Sequence, residues 1–138
     1  MQKERQLLKQ YFGYDAFWKD QEAPIKSIQS GKDTVTIMPT GGGKSICFQI
    51  PALTAKGITL VISPLISLMK DQVDALNHAG IPATYINSSL SYQETEDRLW
   101  EMQQGTIKLI YVAPERLESE DFCSALGQCE ISNFMIDE

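Results

Sequence analysis

Apolar positions along the 138-residue chain follow two periods that take turns. Residues 2 to 11 are charged and polar, with Leu7, Leu8 and Tyr11 on one side, which predicts a short helix ended by Gly13. A second helix is expected from Gln21 to Ser30, with Asp20 as N-cap, Pro24 in the first turn, Ala23, Ile25 and Ile28 inside, and Gly31 as the stop. The β-branched run Thr34-Val35-Thr36-Ile37 predicts a strand. A helix follows from about Lys44 to Ala55, in which Pro51 is expected to cause a bend or an early end. Ile58 to Ile62 is continuously apolar, as in a strand covered on both faces. Beyond Ser63-Pro64, the steps of three and four between Leu65, Leu68, Met69, Val73 and Leu76 predict a helix with one buried face, ended by Gly80.

Ala83 to Ile86 reads as a short strand and Asn87-Ser88-Ser89 as a polar turn. Ser91 caps a helix to about Gln103, with Glu94 in the capping-box position. Tyr92, Leu99 and Met102 are expected inside, and Glu94, Glu96, Asp97 and Glu101 in water. Lys108 to Val112 is a strand, Ser119 to about Leu126 a helix, and Ile131 to Ile136 a strand that delivers Asp137-Glu138. This alternation predicts an α/β fold, a parallel sheet with helices on both faces. Ligands of such sheets sit at the carboxyl ends of the strands. The glycine loop after Ile37, Ser63-Pro64, Ala113-Pro114-Glu115-Arg116 and Asp137-Glu138 all follow strands in this reading, which gathers them on one edge.

Residues 38 to 45 add chemistry to that edge. Gly41, Gly42 and Gly43 let successive backbone N–H groups curl around an anion, because no Cβ blocks the turn. The helix beyond adds its unpaired N–H groups and positive end. Lys44 can reach β and γ phosphates and Ser45 can ligate Mg²⁺. The strict phosphate-loop pattern asks for glycine where this chain has Met38. Asp137 can hold the metal and Glu138 can orient an attacking water, the two groups that nucleotide hydrolysis needs beyond a phosphate cradle. Upstream, the aromatic-rich stretch Phe12 to Gln21 suits either a small core cluster or a stacking platform for a flat ring.

Composition narrows the class without naming it. The chain is 43% hydrophobic and 22% charged, as in a globular protein of one domain. Its net charge of −6 gives no support for nucleic-acid binding over the whole surface, while a local groove remains open. Cys47, Cys123 and Cys129 form no C-x₂-C pair and His78 is the single histidine, so neither a disulfide frame nor a zinc site is expected. With no long apolar run and no signal pattern, a cytoplasmic protein without membrane association is expected.

These segments together resemble the N-terminal part of the RecQ-type DNA helicases, superfamily 2 ATPases, from about Tyr11 to Glu138. The resemblance implies a RecA-like P-loop NTPase fold, residues 1–30 carrying an adenine-recognition motif and 31–138 part of the first RecA-like domain. Phe12 to Gln21 is similar to that motif, which implies Tyr14 stacking on adenine and Gln21 bonding its edge. Met38-Pro39-Thr40-Gly41-Gly42-Gly43-Lys44-Ser45 is similar to the family's first ATPase motif, where a leading methionine is usual. ATP and Mg²⁺ are the implied cofactors, with Ser45 and Asp137 on the metal and Lys44, Asp137 and Glu138 catalytic. Ser63-Pro64, Lys70, Ser88 and Pro114-Glu115-Arg116 belong to stretches similar to those that meet single-stranded or duplex DNA.

Two departures stand out. Trp18 occupies a position where the family usually has arginine, which removes a charged contact around the nucleotide. Asp137-Glu138 resembles the start of an Asp-Glu-Ala-His box, so a second RecA-like domain with its arginine would lie beyond this chain, and the 138 residues alone are expected to be poorly stable and inactive as a helicase. With that domain, the resemblance implies 3′ to 5′ unwinding driven by ATP, in recombination and repair. The alternatives are another superfamily 2 translocase, such as an RNA helicase, and a nucleotide-binding module without turnover.

Overall fold

A computed structural model describes residues 1–38 and 43–137. The chain divides into two compact units, Met1–Ala55 and Lys56–Glu138.

The first unit contains helices α1 (Gln2–Phe12), α2 (Glu22–Gln29) and α3 (Lys44–Thr54). Leu8, Ile25 and Ile50, one from each, are fully buried together, with Leu7, Phe12, Phe17, Ile46 and Leu53 packed around them. Gly13 ends α1 in the left-handed conformation that its missing Cβ allows. The start of α2 differs from expectation: Gln21, not Asp20, holds the N-cap position, and Ala23 is exposed while Ile25 carries the contact. Pro51 neither stops α3 nor shortens it, for the helix runs to Thr54. A proline removes one N–H from the ladder. Its own carbonyl still accepts from the Ala55 amide at 2.9 Å and the Thr54 hydroxyl at 3.0 Å, so the final turn closes.

The strand expected at Thr34 to Ile37 does not form. Val35 and Ile37 are more than nine-tenths exposed. The hydroxyl of Thr34 is instead tied to that of Ser27 at 2.7 Å. Strand propensity is largely the packing of branched side chains against neighbouring strands, and within this unit no strand flanks the segment among the described residues.

The second unit is a parallel sheet of β1 (Ile58–Ile62), β2 (Ala83–Ile86), β3 (Leu109–Val112) and β4 (Ile131–Ile136), in the order β2-β3-β1-β4. Helix α4 (Ile66–His78) crosses from β1 to β2 in one direction. Helices α5 (Tyr92–Gln103) and α6 (Glu120–Gly127) cross back the other way. Right-handed crossovers in opposite directions put their helices on opposite faces, as the alternation predicted. Ile58, Leu60, Ile86, Ile110 and Val112 pack with Leu99 and Met102 of α5 and Phe122 and Ala125 of α6. The other face of the sheet carries Val61, Leu109 and Tyr111, all fully buried.

In this unit three side chains depart from the expected inside positions. Leu65 and Leu68 are over two-fifths exposed, because Leu65 precedes α4 and Leu68 lies a quarter-turn off the stripe of Met69, Val73 and Leu76. Tyr92 is 78% exposed: it opens α5, and helical side chains lean toward the N-terminus, off the packed face. On β4 the cover ends, leaving Phe134 64% and Ile136 82% exposed.

Candidate functional site

In the first unit, Gln21 is 4% exposed and its amide is shared between two backbone groups. Its Oε1 accepts from the Trp18 amide at 2.8 Å, and its Nε2 donates to the Gly43 carbonyl at 3.0 Å. The aromatic stretch is thereby tied to the residue that opens α3. Gly43 has φ +76° and caps that helix. The backbone there favours glycine, and a Cβ would displace the Gln21 amide and lie 3.3 Å from the Trp18 ring. Tyr14 and Trp18 are each more than half exposed.

Lys44 and Ser45 are the first two residues of α3, and its first turn holds no acidic side chain. An anion there would meet the helix's positive end with no carboxylate from its own first turn. Cys47, one turn on, is buried, and burial pushes its thiol up, so it stays a protonated core group. Pro39, Thr40, Gly41 and Gly42, which the sequence assigns to the phosphate cradle, and Glu138 lie outside the described residues.

In the second unit, four parallel strands end on one edge, each with a segment singled out in the sequence. After β1, Ser63 is buried and its hydroxyl accepts from the Leu65 amide at 3.2 Å, turning the chain past exposed Pro64 into α4. Lys70 on α4 is paired with Asp74 at 2.6 Å; that hydrogen bond pushes its pKa up, and the exposed ammonium stays charged. After β2, buried Asn87 accepts from the amide and hydroxyl of Ser89 at 2.8 and 2.5 Å, which leaves Ser88 exposed at the tip. After β3, Pro114–Glu118 form a 3₁₀ turn, with Pro114 and Glu115 exposed. Arg116 from this turn donates to the Asn87 carbonyl at 3.1 Å, joining the β2 and β3 loops. After β4, the Asp137 amide donates to the Ile62 carbonyl at 2.9 Å, extending the ladder by one bond.

The Arg116–Asn87 link was not expected. Its one sequence signal is the Asn-Ser-Ser turn, since asparagine side chains close such turns on their own backbone. No cluster of three or more His, Cys, Asp or Glu side chains occurs among the described residues. Mg²⁺ in a nucleotide site needs no such cage, because one or two protein oxygens plus phosphates suffice. The hydroxyl of Ser45 and the carboxylate of Asp137 are donors of that hard-oxygen kind.

Residues 18–138 match the DEAD/DEAH box helicase family, and the chain belongs to that family. Within it, the similarity runs to RecQ proteins. The chain is 53% identical to ATP-dependent DNA helicase RecQ of Bacillus subtilis over 133 residues, 96% of this chain and 22% of that protein. Against the protein of the same name from Pasteurella multocida the identity is 49%, over 96% of this chain and 21% of that one. The chain thus spans about a fifth of these relatives' length. Its fold is similar to that of a hypothetical ATP-dependent RNA helicase from Sulfolobus tokodaii, with a TM-score of 0.74 at 22% identity, covering 100% of this chain and 41% of that structure. A RecA-like helicase sheet is therefore the architecture. Among the described residues no helix is long and apolar enough to cross a membrane.

Proposed function

We propose that this chain is the ATP-binding portion of an ATP-dependent DNA helicase that couples hydrolysis to 3′ to 5′ unwinding in recombination and repair. Tyr14 stacks on adenine and Gln21 reads its edge. Residues Thr40 to Gly43 cradle the phosphates and Lys44 neutralises them. Ser45 and Asp137 ligate Mg²⁺, which when bound offsets phosphoryl charge, and Glu138 orients the attacking water. Ser63, Pro64, Lys70, Ser88, Pro114, Glu115 and Arg116 face the DNA backbone. A second RecA-like domain completes the enzyme.

The observation that carries the reading is the hydrogen bonding of Gln21. Its amide has given one lone pair to Trp18 and one N–H to Gly43. What is left is a donor and an acceptor, the pair that glutamine offers to the N7 and N6 positions of adenine. The same side chain thus ties the base-reading stretch to the turn that opens the phosphate helix.

The test uses the full-length protein containing this chain. MgATP binding, and ATP turnover with and without single-stranded DNA, are measured for the native protein and for Lys44→Ala. We expect DNA-stimulated turnover and its loss, by at least a hundredfold, in the variant. Unchanged binding and turnover in Lys44→Ala would overturn the reading. Binding without any turnover in the native protein would leave the nucleotide-binding module as the answer, a reading that Trp18 motivates.

A further inference from the structure

Strand β2 is an outer strand of the sheet, with β3 on one side and no strand on the other. Alternate residues of a strand turn their backbone groups to the same side. The Pro82 carbonyl accepts from the Lys108 amide on the β3 side at 2.8 Å, so Ala83, Tyr85 and Asn87 face outward. Side chains close all three positions. Asn77 of α4 takes both the amide and the carbonyl of Ala83, at 3.0 and 3.2 Å. Arg98 of α5 donates to the Tyr85 carbonyl at 2.6 Å and lies 4.3 Å over its ring. Arg116 donates to the Asn87 carbonyl at 3.1 Å.

The third closure differs from the other two. Strand β2 ends at Ile86, so Arg116 holds the first residue of the loop beyond the strand. That loop is a turn closed from within. The Asn87 carbonyl also accepts from the Leu90 amide at 3.3 Å, and the buried Asn87 side chain accepts from the Ser89 amide at 2.8 Å. Its Nδ2 donates to the Met69 sulfur of α4 at 3.5 Å. Ser88 and Ser89 are left as the exposed centre of the turn. Arg116 itself stands on a 3₁₀ turn fixed on both sides, its amide donating to the Ala113 carbonyl at 3.0 Å and its carbonyl accepting from the Ser119 amide at 3.1 Å. One half-buried arginine thus ties two exposed tips together, Ser88-Ser89 and Pro114-Glu115.

We propose that Arg116 is a positioning residue for nucleic acid: it sets the Ser88-Ser89 turn against Pro114-Glu115 from behind, and does not itself ligate a phosphate. This rests on the DNA reading of that edge given above. Two turns held in register before binding need no ordering when a phosphate backbone arrives, and the saved cost appears as affinity.

The test uses the full-length protein containing this chain, with fluorescein-labelled oligothymidylate followed by anisotropy over a range of salt concentrations. A cationic side chain that binds phosphate contributes about one unit to the slope of log affinity against log salt. We expect Arg116→Ala to weaken binding about fivefold throughout the range, with that slope unchanged. Asn87→Ala removes no charge and should give a similar loss. The double variant should lose little more than the larger single one, because both changes loosen the same turn. Arg98→Ala uncaps the same strand short of the loop and should leave binding within about twofold. Arg116 lies outside the core, so its variant keeps the fold even where Asn87→Ala perturbs it. A slope lowered by about one unit in Arg116→Ala would make the guanidinium a phosphate ligand and overturn the proposal. So would full affinity in that variant, or an equal loss in Arg98→Ala. Failure of the native protein to bind oligothymidylate would instead overturn the DNA reading, and the proposal with it.

Discussion

Gln21 and Gly43 act as one device. The amide holds two backbone segments that are distant in sequence, and glycine is the residue that lets it approach. Gln21→Ala leaves the half-buried Gly43 carbonyl without this donor, and we expect about 1 kcal/mol loss of stability in urea unfolding. Gln21→Glu keeps the acceptor for Trp18 but sets a carboxylate oxygen against the Gly43 carbonyl, so it should destabilise at least as much as Gln21→Ala; on the proposed adenine reading it should also lower the ratio of ATP to GTP affinity in competition binding. Gly43→Ala forces a side chain to φ +76° and against the amide, and should cost more than the 1–2 kcal/mol of the backbone strain alone. Sequence resemblance pointed to Gln21 as a reader of adenine. Its bracing of Gly43 was not legible, because it depends on a contact 22 residues away.

At the scale of elements, α5 was the most legible. Ser91 and Glu94 form the full reciprocal box, with the Glu94 amide on Ser91 Oγ at 3.1 Å and the Ser91 amide on Glu94 Oε1 at 2.9 Å. We expect Ser91→Ala to lower stability by about 1 kcal/mol in thermal or urea unfolding. The backbone hydrogen bond from Ser91 holds the Glu94 pKa below the ordinary glutamate range. A depressed folded pKa means the contribution is complete above the unfolded value and is lost as pH falls through the folded one. Helicity by circular dichroism should therefore fall in acid, and less so in Glu94→Gln. Caps and stripes were readable because their partners lie within a few residues. Thr34 to Ile37 was misread for the opposite reason: branched side chains favour a strand only where another strand receives them. Tyr92 was misread because it sits in the right heptad position but at the end of the helix, where no packed layer lies over it.

For the whole molecule, the decisive feature is the order β2-β3-β1-β4. It places β1 between two partners and puts Leu60 at complete burial, while Ile136 on β4 stays open. Leu60→Ala should cost 2–5 kcal/mol and Ile136→Ala stay within about 0.5 kcal/mol, measured by urea unfolding. The alternating pattern made the parallel sheet and its two helical layers legible, and the resemblance supplied the family. Strand order was not legible, since pairing joins segments about fifty and seventy-five residues apart that no local pattern links.

That order also has a consequence for how the chain is made. Its middle strand, Ile58–Ile62, leaves the ribosome before either neighbour, because Leu109–Val112 and Ile131–Ile136 are both translated later. Throughout that interval a strand of four branched apolar residues and one threonine has no mate, which leaves it open to mispairing until Leu109–Val112 is made.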